Sequence, residues 1–395
     1  MNVALEQIIA TCLMTPKGDP FDPACVWGLP LNITGLSAGG KSERIAQACK
    51  AVSLPMFTVY PSAKQPEDFG GAPYITPEGI EVGCILPAAN RLLNLGEGVL
   101  FIDELTTASP RVQSAALGVV QDRRVGDQPL PPKTRIITAM NPPEYTAGGY
   151  PLDAPMSSRL MHIDYVLPTV DEWEDWCLDS VRYRMPDIHQ AEDLVRQRWN
   201  DFWGDSTAKV IGFLKAAQEH MHKQPKPEDL ACAGPWPSHR MWNWVRRGIC
   251  TARCLGMPEE MTNIIVEGCV GPGVMVEWSE WMSKADLPLP QEALDKGWRP
   301  DTQRLDITMM VTNSIVVWLS GMDQGPVKEH YAALTWNLIS AASDIGQPDI
   351  AVKSANRLVN MGLMHDHPNP LVASAAREAI LKLGRAGVSS FGSIL

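Results

Sequence analysis

"GLSAGGKS", residues 35–42, decides how this chain is read. It satisfies G-x-x-x-x-G-K-[ST] through Gly35, Gly40, Lys41 and Ser42, and its setting fits too. Upstream, "LPLNITG" has the composition of a strand; downstream, "SERIAQACKAV" has that of a helix. Strand, glycine-rich loop and helix in that order give the pattern its physical meaning. Glycines let backbone N–H groups curl round phosphate oxygens, and a helix N-terminus adds partial positive charge. Lys41 is placed to neutralise β- and γ-oxygens, and the Ser42 hydroxyl to reach Mg²⁺. Gly35, Leu36, Ser37, Ala38, Gly39, Gly40, Lys41 and Ser42 are therefore read as a nucleotide cradle rather than a turn that fits by chance.

The other half of such a site is an apolar strand that ends in acid, and "GVLFIDE" (98–104) supplies it. Val99 to Ile102 bury the strand, which brings Asp103 and Glu104 out at its C-terminal edge, where α/β sheets bind ligands. There Asp103 would hold the Mg²⁺ shell and Glu104 would polarise the attacking water. "TRIITAMNPPEY" (134–145) ends a further β-run in Asn141, a neutral polar group suited to sit between that water and the γ-phosphate, although Asn-Pro also makes ordinary turns. Arg159 stands immediately before a fifth β-run, "LMHIDYV" (160–166). Alone it is a surface arginine; its place after the other motifs raises it.

With "LPMFTVY" (54–60), five β-runs alternate with helical stretches up to about residue 168, which predicts a parallel sheet between helices. From 169 the chain reads as helical and Trp-rich, opening on "TVDEWEDW" with a capping-box pattern at Thr169 and Glu172. "KADLPLPQEALDKGWRPDTQ" (284–303) holds three prolines and reads as an extended connection. Three regions are expected: an α/β core over 1–168, a helical region over 169–283 and a C-terminal helical domain over 284–395.

In this order the motifs resemble the MoxR branch of the AAA+ ATPases, which are ring-forming P-loop proteins. "GEGVLFIDELTTASPRVQSAALGVVQDRRVGD" and "ITAMNPPEYTAGGYPLDAPMSSRLMHIDY" are similar to that branch almost phrase by phrase, within a resemblance that covers residues 30–250. By the resemblance, Gly35 to Ser42 is Walker A, Asp103 and Glu104 are Walker B, and Asn141 is sensor 1. Arg159 takes the place of the arginine finger, which acts on a neighbouring subunit's nucleotide. "PWPSHRMWNWVRR" is similar to the sensor-2 helix and would return Arg240 over the phosphates of its own site, with 169–283 as the lid. Two departures stand out: the usual Walker A proline is absent, with Ala38 and Gly39 in mid-loop, and Thr106-Thr107 replaces a common Asn-Arg. Neither removes a phosphate or metal ligand.

The resemblance implies ATP and Mg²⁺ as cofactors, a ring taken as a hexamer, and hydrolysis that drives chaperone-like remodelling of a partner protein carrying a von Willebrand factor A domain. It implies two segments for partner contact. These are the insert "KQPEDFGGAPYITPEGIEVGCIL" (64–86), with Phe69 and Tyr74 as its exposed aromatics, and the hairpin in "QDRRVGDQPLPPKTR" (121–135). Rival readings on the same core are a nucleic-acid motor or clamp loader, and a structural ring that nucleotide only locks.

Composition bears on those rivals. The chain has 395 residues, 45% hydrophobic and 20% charged, which suits a globular protein with sizeable cores. Its net charge of -11 repels nucleic-acid phosphates, so a nucleic-acid partner is disfavoured. "MNVALEQIIATCLMTPKG" has no basic n-region and carries Glu6 in its apolar part, which reads as an amphipathic helix, not a signal peptide, and places the chain in the cytoplasm. "LDITMMVTNSIVVWLSG" (305–321) is interrupted by Asp306 and Asn313 and reads as a buried core helix rather than a membrane span. The nine scattered cysteines suit reduced thiols; Cys250 and Cys254 read as small core residues and "HDHP" (365–368) as a surface turn, not as metal sites.

Overall fold

The computed structural model describes residues 4–77, 79–145, 149–171, 186–226, 233–284, 288–300, 305–345 and 349–385. By compactness, Met1–Gln197 with His220–Glu277 forms one unit, and Arg198–Glu219 with Trp278–Leu395 a second. Sequence texture divides the chain at 168 and 283 instead, because texture follows composition along the chain whereas the units follow which segments pack together.

The first unit is built on five strands: β1 (Leu31–Thr34), β2 (Met56–Val59), β3 (Glu97–Ile102), β4 (Lys133–Met140) and β5 (Met161–Asp164). They pair in the order β2-β3-β4-β1-β5, all parallel. The five β-runs of the sequence are these five strands. Val99, Leu100, Phe101 and Ile102 are all buried, the near-continuous apolar run of a strand covered on both faces. In register, Thr34 pairs with Met140, and Ile102 with Thr138. The residues that follow β1, β3 and β4 therefore emerge together on one edge of the sheet. The expected parallel sheet with helices between its strands, followed by helical segments, is what the chain forms.

One buried ion pair pins the start of β4. Arg135, fully buried, donates to the Glu192 carboxylate and to the carbonyls of Leu13 (3.2 Å) and Lys133 (2.7 Å), while Lys133 donates to the other Glu192 oxygen at 2.8 Å. Every charge in this knot has a partner, the condition for carrying ions in a core.

In the second unit the helix Leu305–Ser320 is a core helix as expected, with Ile315, Val316 and Leu319 buried beside Trp336, Ile339 and Ile380. Trp336 Nε1 donates to the Leu363 carbonyl at 2.6 Å. No described helix is long and apolar enough to cross a membrane.

Three expectations are corrected. The N-terminal segment is helical as expected, over Leu5–Leu13, but it has no solvent face, since only Gln7 of its residues escapes burial. The stretch 284–303 is not wholly extended: Pro290–Asp295 is helical, with Pro290 in the first turn, a position where proline starts a helix. Phe69 is not an exposed contact residue. It lies in the short helix Pro66–Gly70, only 2% exposed, in a core cluster with Val59, Leu86, Val119 and Val125. The capping pattern at Thr169 involves Glu172, which lies outside the described residues.

Candidate functional site

The loop after β1 is shaped by two residues in the left-handed region. Ala38 has φ 60° and Gly40 φ 86°, and Gly40 is the N-cap of the helix Lys41–Ala51. A Cβ at Gly39 would lie 2.6 Å from Leu167 Cδ2, so a side chain there would displace the end of that exposed leucine. Gly35 N donates to the Met140 carbonyl at 3.1 Å, which ties the loop to β4. The helix has no side-chain cap, so its first N–H groups face the loop as a site for an anion.

Lys41 and Ser42 open that helix beside the ends of β3 and β4. Lys41 is 8% exposed, and its ammonium donates to the carbonyls of Gly35 (2.7 Å) and Leu36 (2.8 Å) and to Asn141 Oδ1 (3.0 Å). Two of its bonds stay within the loop and the third reaches the end of β4. Burial lowers its pKa from the ordinary lysine value, and the nearby Asp103 and Glu104 act against that shift. Because Asn141 turns its oxygen to Lys41, its amide NH₂ is directed away from the ammonium.

The Ser42 hydroxyl donates to Asp103 Oδ2 at 2.8 Å. The other Asp103 oxygen accepts the Glu104 N–H at 2.9 Å, and Asp103 is 7% exposed. Glu104 has φ 56° and ψ 43° with its side chain exposed. A non-glycine residue in this conformation stores strain of order 1 kcal/mol or more, and such strain collects at functional sites. The structure thus brings together the loop, Lys41, Ser42, Asp103, Glu104 and Asn141. Ser42 Oγ and Asp103 Oδ2 are adjacent hard oxygen donors of the kind Mg²⁺ takes, so the residues present fit that ion.

Arg159 and Arg240 lie elsewhere. Arg240 Nη1 donates to the Ser158 carbonyl at 3.4 Å, and Arg159 Nη1 to the Ser158 hydroxyl at 3.3 Å. Arg159 also donates to Gln121 Oε1 and to the Pro155 carbonyl. Burial and repulsion from Arg240 lower its pKa, against the pull of Asp122 and Asp153. Ser158 precedes Met161, which pairs with Leu31 at the start of β1. Ser158, which both arginines meet, thus lies about the length of a strand, roughly 10 Å, from the phosphate loop at the other end of β1. The reading in which Arg240 covers its own phosphates is corrected: the first turn of the helix His239–Cys254 lies against Ser158 instead.

One supporting residue escaped the sequence. Tyr165, directly after β5, donates its hydroxyl to the Gly39 carbonyl at 2.8 Å, and its ring fills the space a Gly35 side chain would need. Arg44 lies 5.9 Å from that ring and makes a two-pronged pair with Glu6, 2.7 and 2.8 Å. No local pattern announces Tyr165; only the pairing of β5 with β1 brings it to the loop.

The insert forms an antiparallel hairpin, Ala72–Thr76 with Gly79–Gly83. Ile75 and Ile80 are register partners and stand 87% and 75% exposed; Tyr74, 43% exposed, donates to Glu81 Oε2 at 2.6 Å. The 121–135 segment holds a shorter hairpin, Arg124–Val125 with Gln128–Pro129. Cys250 and Cys254 are buried, and burial raises the Cys250 thiol well above its ordinary value, as befits core residues.

No protein-family model matches the chain, and no curated protein does. Among solved structures, it is similar to a candidate ATPase from Cytophaga hutchinsonii at 17% identity and a TM-score of 0.43, covering 67% of this chain and 79% of that one. A likeness this distant assigns no activity.

Proposed function

We propose that this chain hydrolyses ATP to ADP and phosphate as a MoxR-type AAA+ ring, a hexamer, and uses the turnover to remodel a partner protein. The observation that carries the reading is the meeting of Lys41, Ser42, Asp103 and Asn141 within hydrogen-bond distance at the ends of three adjacent strands.

ATP would be held by the loop N–H groups, with Lys41 turning from the Gly35 and Leu36 carbonyls to phosphate oxygens. Ser42 and Asp103 would hold Mg²⁺, which when bound neutralises charge on the β- and γ-phosphates. Glu104 accepts the proton of the attacking water as its oxygen bonds to the γ-phosphorus and the bond to the β-phosphate oxygen breaks. The Asn141 amide orients that water or the γ-phosphate. Arg159, with Arg240 beside it, is offered to the site of a neighbouring copy, where an arginine supplied in trans contributes several orders of magnitude in rate. The exposed Ile75–Ile80 pair is the surface for the partner, which the resemblance gives as a von Willebrand factor A domain protein. With a chain charge of -11, a protein partner fits better than nucleic acid.

Turnover of Mg-ATP by the purified protein tests the reading. Glu104→Gln should bind ATP and stop hydrolysis, because the amide keeps the shape but takes no proton. Turnover of Glu104→Gln at the wild-type rate would assign the proton acceptor elsewhere.

A further inference from the structure

Three adjacent strands, β4, β1 and the edge strand β5, carry polar side chains where a parallel sheet ordinarily carries Val, Ile or Leu. Asn32 on β1 pairs in register with Thr138 on β4 on one side and with His162 on β5 on the other. Asn32 and Thr138 are fully buried and His162 is 7% exposed. Thr138 Oγ1 donates to Asn32 Oδ1 at 2.8 Å. The Asn32 amide donates to Thr34 Oγ1 at 3.1 Å and faces His162 Nδ1 at 3.4 Å. With Nδ1 accepting, the His162 proton sits on Nε2, which lies 3.0 Å from the Ser157 carbonyl and donates to it. Ser157 Oγ in turn donates to the Gly234 carbonyl. The bonds run head to tail from β4 to the turn before β5, so each polarises the next.

The two ends of this ladder matter. At one end Asn32 holds Thr34, the residue before Gly35, and Thr138 stands three residues before Asn141. At the other, Ser157 stands two residues before Arg159, and Ser158 between them meets both arginines. A shift of β5 against β1 would break the Asn32–His162 contact, the one link of the ladder that crosses between these strands, and leave the buried His162 Nδ1 without its donor, a desolvation cost added to that of the lost backbone register.

We propose that the Thr138–Asn32–His162–Ser157 ladder is a positioning device that fixes the turn bearing Arg159 to the strand feeding the phosphate loop, so that the arginine offered to a neighbouring copy is held in register with its own subunit's nucleotide site. Asn32 and His162 are positioning residues; the device rests on the trans reading of Arg159.

The test uses the full-length protein with Asn32→Leu, Thr138→Val and His162→Phe together, which replaces the three strand side chains of the ladder by apolar groups of similar shape while the Ser157 carbonyl keeps the Leu160 N–H, and so need not cost stability. ATP affinity by calorimetry should stay unchanged while kcat falls about tenfold, within the range that small misplacements cause. In an Arg159→Ala background the same three changes should produce no further fall. A folded triple variant with wild-type kcat, or an equal fall with and without Arg159, would overturn the ladder alone. Wild-type kcat in Arg159→Ala itself would overturn the trans reading and the ladder with it. If the triple variant does not fold, His162→Gln decides: it keeps a donor towards Ser157 and should retain most of the kcat that His162→Phe loses, and equal loss in both would overturn the proposal.

Discussion

Removing the Lys41 ammonium is the perturbation whose size the structure best constrains. A unit charge 4 Å from one phosphate charge contributes about 4 kcal/mol at an effective dielectric constant near 20, a fair value for a group that is mostly buried. Against this stand the contacts the ammonium leaves, those with the Gly35 and Leu36 carbonyls, at about 1 kcal/mol net each. About 2 kcal/mol remains, so Lys41→Ala should weaken ATP binding about thirtyfold at least, at 1.4 kcal/mol per tenfold. A second phosphate charge in reach raises the figure. ADP should lose less than ATP, and AMP nothing, because only phosphates beyond the first meet the ammonium. Calorimetry with the three nucleotides, in a Glu104→Gln background that prevents turnover, measures all three. A folded Lys41→Ala protein that binds ATP within threefold of its parent, or loses affinity equally for AMP, would refute the reasoning.

Burial separates the two aromatics of the insert: Phe69→Ala should cost about 3–5 kcal/mol in denaturant melts, as a large core deletion does, whereas Tyr74→Ala should stay within about 0.5 kcal/mol. His162 gives a pH signature. Burial pulls its pKa from 6.5 to about 4, and its partners Asn32 and Ser157 carry no charge. The unfolded chain therefore binds the proton first, and stability falls as pH drops from 6.5 towards 4, by about 2 kcal/mol at pH 5. His162→Gln should remove that share of the acid loss between pH 7.5 and 5, and urea melts of both proteins showing identical acid loss would contradict the neutral buried ring.

The loop and the five strands were legible because each signal is local. "GLSAGGKS" lies between a strand and a helix, and each β-run is a short apolar stretch with breakers at its ends. Asp103 and Asn141 could be placed at the loop once those strands were parallel, since parallel strands put their C-terminal ends on one edge. What escaped depends on pairing between distant segments. Tyr165 reaches Gly39 only through the β1–β5 register, and the same register builds the Asn32–His162 ladder from residues 130 apart in sequence. Phe69 misled because a Gly/Pro-rich insert looks exposed throughout, while a single aromatic anchors it to the core. Pro290 misled because proline breaks a helix in its middle and starts one at its first turn. Arg240 misled because a motif records order along the chain and not which end of the sheet its helix meets.

The most direct measurement of a shared, trans-acting site is ATP turnover in mixtures of two variants that each hydrolyse ATP poorly or not at all. Glu104→Gln subunits lack the proton acceptor but keep Arg159; Arg159→Ala subunits keep the acceptor but lack the arginine. With subunit exchange verified by sedimentation of labelled mixtures, turnover should reappear on mixing and peak at intermediate ratios, because some sites then join an intact Glu104 to a neighbour's intact Arg159. Turnover that stays at the level of the two pure variants at every ratio would contradict the account.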